Sequence, residues 1–91
     1  MLLGRVTGTV TATTKDASLV GGTFLVVELI KGNGDSLTGE IVALDTVGAG
    51  VGDTVILTTG SAARLPNGAT GTPVDAAVIA IVDQVAMNNS N

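Results

Sequence analysis

The chain has no cysteine, no histidine, no tryptophan and no tyrosine, and Phe24 is the one phenylalanine in its 91 residues. Without cysteine there are no disulfides, no thiolate nucleophile and no sulfur-ligated zinc. Without histidine the commonest general base and the commonest metal ligand are missing. Most hydrolase chemistry is thereby excluded, and neither a metal nor a cofactor is expected. Charge is scarce too. Only 13% of the residues are charged, where an ordinary domain carries about 25%. Four Lys/Arg against eight Asp/Glu leave a net charge of −4, which repels a polyanion and offers little to neutralise phosphates. With aromatics almost absent there are no platforms for stacked bases, so nucleic acid is not an expected partner. Long apolar runs are missing as well. The longest, "FLVV" (Phe24 to Val27) and "AAVIAIV" (Ala76 to Val82), fall far short of the ~20 residues that cross a bilayer as a helix.

What is present in excess is apolar side chain, at 45% of residues. A domain of this size buries about 60–65% of its unfolded surface, and there are too few charges to cover the remainder. With no membrane helix, the spare apolar surface is expected to meet other protein chains. The N-terminus "MLLGRVTG" shows no basic stretch leading into an apolar one, so no secretory signal is indicated and a cytoplasmic location is expected.

Along the chain, Leu2 to Thr14 is rich in Val and Thr and partly alternates, which reads as a strand with one wet face, bent at Gly4 and Gly8. Lys15 to Gly22 reads as a loop, Thr23 to Ile30 as a second strand, and Lys31 to Gly39 ("KGNGDSLTG") as a hairpin turn. "EIVALDT" and "TVILTTG" supply two β-branched strands. One helical turn is expected at "AAR" (Ala62 to Arg64), followed by the loop "LPNGATGTP". Val74 to Val85 fits a buried strand or a helix by periodicity. A strand through Val82 with a short helical turn after it is the expectation. The fold class is therefore mainly all-β, a five-stranded closed or half-closed barrel with one or two short helical turns, because closure removes exposed sheet edges.

The most distinctive stretch is "DTVGAGVGD", Asp45 to Asp53. A dinucleotide fingerprint needs G-x-G-x-x-G between a strand and a helix. Here Gly48, Gly50 and Gly52 are spaced G-x-G-x-G and a strand follows. A retropepsin-like aspartic protease needs Asp-Thr-Gly, but Val47 intervenes between Thr46 and Gly48, and no Ile-Ile-Gly-like motif follows. The remaining reading is structural: the three glycines provide positive-φ corners between two strands. Asp75 and Asp83 flank an apolar run and read as strand-end solvation rather than an acid/base pair. Arg64 reads equally as a surface cation or as a fork to a neighbouring carboxylate or carbonyl.

Taken in order, "LGRVTGTVTAT", "KDASLVG", "FLVVELI", "ALDTVGAGVGDTVILTTGSAAR" and "PVDAAVIAIVD" closely resemble the EutN/CcmL family, the pentameric vertex proteins of bacterial microcompartments and carboxysomes. The resemblance covers nearly the whole chain, and its most specific parts are "DTVGAGVGD", "GSAAR" and "PVDAAVIAIVD". It implies one domain over residues 1–91 with a flexible tail from about residue 87. The implied fold is an OB-like barrel assembling as a cyclic pentamer. The implied role is to cap shell vertices, beside hexameric and trimeric shell proteins, with no catalysis. On that reading Gly48, Ala49, Gly50, Val51 and Gly52 lie at a subunit contact or the five-fold pore. Ser61 and Arg64 then tie one subunit to its neighbour or to an adjoining hexamer, with Asp45 or Asp75 as acceptors. The OB-like fold alone keeps a nucleic-acid-binding module as the first alternative, with a retropepsin-like aspartic protease as the second.

Overall fold

The computed structural model describes residues 1–11, 22–64 and 75–85, with Thr38 and Arg64 described by backbone alone. Five strands form: β1 (Leu2–Val10), β2 (Thr23–Ile30), β3 (Ser36–Asp45), β4 (Thr54–Thr59) and β5 (Ala76–Ile81). A 3-10 helix, Gly60–Arg64, follows β4. They close into a barrel in the order β1-β2-β3-β5-β4, with β4 pairing back onto β1. Every pairing is antiparallel except β3 with β5, which run parallel through Leu44↔Ala77 and Asp45↔Val78. The expected five-stranded barrel is the observed one.

Period-two alternation does the sorting. On β2, Leu25 and Val27 point inward while Phe24, Val26 and Glu28 stay partly exposed, and on β4 Val55 and Leu57 are fully buried. These join Val6, Ala43, Ala76 and Val78 in one core cluster. Burying a Val or Leu side chain stabilises by roughly 1.5–3 kcal/mol, so this narrow, aromatic-free core is modest. Gly4, on β1, faces inward among them. A Cβ there would collide with Val27 Cγ1 and reach within 3.0 Å of Leu57 Cδ1 and 3.1 Å of the Glu28 carbonyl. The barrel is too tight at this level for any side chain.

Several element boundaries differ from expectation. The first strand ends at Val10 instead of Thr14, and its irregularity lies between Val6 and Gly8. Gly4 is thus a close-approach position rather than a bend. The third strand starts at Ser36, four residues before Glu40, because the hairpin closes tightly. Lys31 N–H donates to Asp35 O (2.8 Å) and Gly34 N–H to Lys31 O (2.9 Å), while Ile30 pairs with Ser36. Gly39, read as the end of the turn, is instead a positive-φ kink (121°) inside β3. The helical turn is longer than expected, Gly60–Arg64, and its Ala63 is fully buried.

The ambiguous C-terminal segment is a strand, β5, because Ala77 and Val78 have strand partners on both sides. It stops at Ile81, and residues 82–85 are irregular with no helical turn. Of the loops read at Lys15 to Gly22 and Leu65 to Pro73, all but Gly22 lies outside the described residues, as does the tail from residue 87.

Closure of the barrel leaves much apolar side chain in water. Val42 is 51% exposed, Val51 66% and Leu37 43%, and Val47, Ile81 and Val85 are also exposed.

Candidate functional site

The β3–β4 connection, Thr46 to Asp53, is built by its own polar groups. Asp45, at the end of β3, turns its Oδ1 back over the loop and accepts the amides of Val47 (3.0 Å), Gly48 (3.0 Å) and Ala49 (3.3 Å). This is the local capping habit of Asp, whose short carboxylate reaches the amides two to four residues on. Gly48 (φ 79°) and Gly52 (φ 96°) supply the left-handed corners, a region that costs other residues about 1–2 kcal/mol. Gly50 is not in that region, so only two of the three expected corners exist. In the single chain a Cβ on Gly50 would meet nothing closer than Asp53 Oδ2 at 3.9 Å.

At the far end, Asp53 accepts the Gly50 amide through Oδ2 (2.8 Å) and donates its own N–H to Gly50 O (3.0 Å). Two anchors then fix the loop to the barrel. Thr46 Oγ1 donates to Val78 O of β5 (2.6 Å), and Thr46 N–H reaches the same oxygen (3.3 Å). Gly52 N–H donates to Val6 O and Val6 N–H to Asp53 O, both at 2.9 Å. Ala49 is half-buried against the core cluster, whereas Val47 and Val51 face solvent.

This geometry decides what the loop can do. A phosphate cradle presents free, convergent amides. Here those of Val47, Gly48, Ala49, Gly50, Gly52 and Asp53 are all committed to the chain's own acceptors. Asp45 is likewise engaged as a structural acceptor for its loop. Among the described residues there is no group of three or more acidic side chains placed to hold a metal.

The remaining sequence-derived candidates lie on either side of the β4–β5 seam. Ser61 is exposed on the 3-10 helix, and Arg64 ends that helix, its side chain outside the described residues. Asp75 is exposed just before β5, and its carbonyl accepts the Gly60 amide (2.8 Å), tying the helix start to the β5 start. Asp83 is exposed beyond β5. Asp45 adjoins β5 through its pairing with Val78. The structure thus brings Asp75 beside Gly60 and Asp45 beside Val78, while Asp45 Oδ1 points into its own loop.

Sequence reasoning missed Thr46 as the loop's clamp, and it also missed the network around Arg5. Arg5 lies 3.9 Å from Glu28 Oε1 and donates to Gly34 O (3.3 Å), and Ser36 Oγ donates to Glu28 Oε1 (2.6 Å). The one available signal for Thr46 was its place after a strand-ending Asp, where a hydroxyl commonly bonds to backbone.

A small closed barrel whose most elaborate loop among the described residues is bonded to itself, and whose surface keeps exposed Val and Leu, fits a structural module. Comparison with known proteins agrees. The model of the family described as "Ethanolamine utilisation protein EutN/carboxysome" matches residues 1–83. The chain is 46% identical over 89 residues to the carboxysome shell vertex protein CcmL of Thermosynechococcus vestitus, covering 98% of this chain and 90% of the relative. The solved structure of Gloeobacter violaceus CcmL superposes with a TM-score of 0.91 at 46% identity, covering 98% of this chain and 92% of that one. The GrpN pentameric microcompartment shell protein of Rhodospirillum rubrum superposes with a TM-score of 0.88 at 43% identity, covering 98% and 100%. The chain belongs to the EutN/CcmL family, and its role is that of a structural shell vertex protein of a bacterial microcompartment.

Proposed function

We propose that five copies of this chain form a ring that caps the vertices of a polyhedral microcompartment shell in the cytoplasm, without catalysis of its own. The observation that carries this reading is the exposed apolar set on a closed barrel: Leu37, Val42, Val47, Val51 and Ile81 all lie between 40% and 66% exposed in a single chain. A barrel has few edges and no large unfilled core to use them, so the remaining use is contact between subunits. In a cyclic ring each subunit offers two different, complementary patches, one to each neighbour. The pentameric relative from Rhodospirillum rubrum supports five as the number.

Geometry explains why a shell needs such a ring. A flat sheet of hexagonal tiles cannot close, and pentagons at the corners supply the curvature, so the neighbours are hexameric and trimeric shell proteins. Within the ring, Gly48, Ala49, Gly50, Val51 and Gly52 stand at the subunit contact or around the axis. Val51, 66% exposed at the loop's turn, is the residue with most apolar area to gain there. Ser61 and Arg64 tie the 3-10 helix to the next subunit or to an adjoining hexamer, with Asp75 or the second carboxylate oxygen of Asp45 as acceptor. Native mass spectrometry at micromolar concentration tests the assembly. Five chains and little monomer are expected, and a stable monomer overturns it.

A further inference from the structure

The hairpin tip between β2 and β3 places an asparagine, a glycine and an aspartate in an arrangement that favours cleavage of the asparagine's own side-chain amide. Asn33 is exposed and precedes Gly34, which has φ 92° and no side chain to shield its amide nitrogen. Asp35 holds both ends of the Asn33 carboxamide. Its N–H donates to Asn33 Oδ1 (3.0 Å), and its carboxylate Oδ2 accepts from Asn33 Nδ2 (3.3 Å). We propose that Asn33 is a site of spontaneous deamidation, with the Asp35 backbone N–H polarising the amide that is lost.

In the first step the Gly34 backbone nitrogen gives up its proton to water and attacks Cγ of Asn33. A Cγ–N bond forms, the Cγ–Nδ2 bond breaks, and Nδ2 leaves as ammonia with a proton from solvent, closing a five-membered succinimide. Water then opens the ring at one of its two carbonyls, giving aspartate or isoaspartate at position 33. The net change is amide plus water to carboxylate plus ammonium. Negative charge develops on Oδ1 during the attack, and the Asp35 N–H already points at that oxygen, which is the placement that stabilises an oxyanion. The Asp35 carboxylate keeps the departing nitrogen oriented. The opposing contact is the bond from Gly34 N–H to Lys31 O (2.9 Å), a single turn bond at an exposed tip, whose opening sets the pace.

Each event makes the chain one unit more negative than its −4. The isoaspartate product also lengthens the backbone inside a closed turn, displacing Gly34 O from Arg5.

The test is peptide mapping by mass spectrometry of the full chain, incubated at neutral pH and sampled over days. The second Asn-Gly pair of the sequence, Asn67-Gly68, serves as an internal clock. Asn33 is expected to accumulate aspartate and isoaspartate. When the same chain is held unfolded in urea, where the Asp35 N–H contact to Asn33 Oδ1 is lost, conversion at Asn33 is expected to slow several-fold. An intact Asn33 in the folded chain while Asn67 converts overturns the proposal, and so does conversion at Asn33 that is as fast in urea as in the folded chain.

Discussion

The Val6 amide donates to the Asp53 carbonyl at 2.9 Å, and the Val6 carbonyl accepts from Gly52 at the same distance. Val6 thus pairs with Val27 on one side and grips the end of the glycine loop on the other, just past its strand's last pairing with β4 at Arg5↔Thr54. The loop is therefore an extension of the β1–β4 ladder rather than a free connection. Mutations in it report on barrel and loop together, and the choice of position separates the two.

Gly48→Ala and Gly52→Ala each force a Cβ into left-handed backbone, at about 1–2 kcal/mol per site. Neither would meet an atom of its own chain within 4 Å, so the loss is conformational. Gly50→Ala carries no such strain, and within one chain it is expected to be near neutral. If Gly50→Ala leaves the melting temperature of dilute protein unchanged but weakens the ring at matched concentration, the loop stands at a subunit contact. Unchanged assembly places Gly50 away from it.

Asp45→Ala removes the acceptor for three amides. Loss of a comparable cap costs about 0.5–2 kcal/mol. Asp45→Asn keeps an oxygen in place of Oδ1 and should recover most of that stability. Urea unfolding of the two variants is the measurement. Equal destabilisation by both would show that the charge, not the oxygen's position, organises the loop.

Gly4→Ala is expected to be the most damaging single methyl in the barrel. The new Cβ is aimed at Val27 Cγ1 and at the Glu28 carbonyl, and a backbone carbonyl cannot move out of the way as a side-chain tip can. Overpacking of this kind costs about 1–3 kcal/mol. For a domain of this size each kcal/mol lowers the melting point by about 4–8 °C. A melting point within error of wild type would mean that β1 and β2 can separate freely, contrary to their tight pairing.

Arg64→Ala is expected to leave the barrel folded while loosening association. Truncating one partner of a buried charged contact costs about 2–5 kcal/mol, against under about 1 for an exposed one. Dilution under analytical ultracentrifugation reads the difference as a shift to smaller species. Pentamers that persist, and shells that still close on co-expression with a hexameric shell protein, would make Arg64 an ordinary surface residue.

The barrel was legible in the sequence because alternation and β-branching act locally. Thr23 to Ile30 reads as β2 without adjustment, and "TVILTTG" as β4 apart from Gly60, which starts the 3-10 helix; each strand's inward set, Leu25 and Val27 or Val55 and Leu57, follows period two. Scarcity of charge, aromatics and histidine also carried the expectation of contact between protein chains. Other features needed the fold. Gly4 looks like a bend in one dimension, and only the passage of β2 and β4 on either side shows it to be a packing constraint. Gly48 and Gly52 take positive φ and Gly50 does not, in a loop where Asp45 accepts the amides of Val47, Gly48 and Ala49 and Asp53 accepts that of Gly50, and those hydrogen bonds depend on where β3 ends and β4 begins. Val74 to Val85 could be helix or strand until β3 and β4 offered it two open edges, since a run of short apolar residues takes its conformation from the partners that satisfy its backbone.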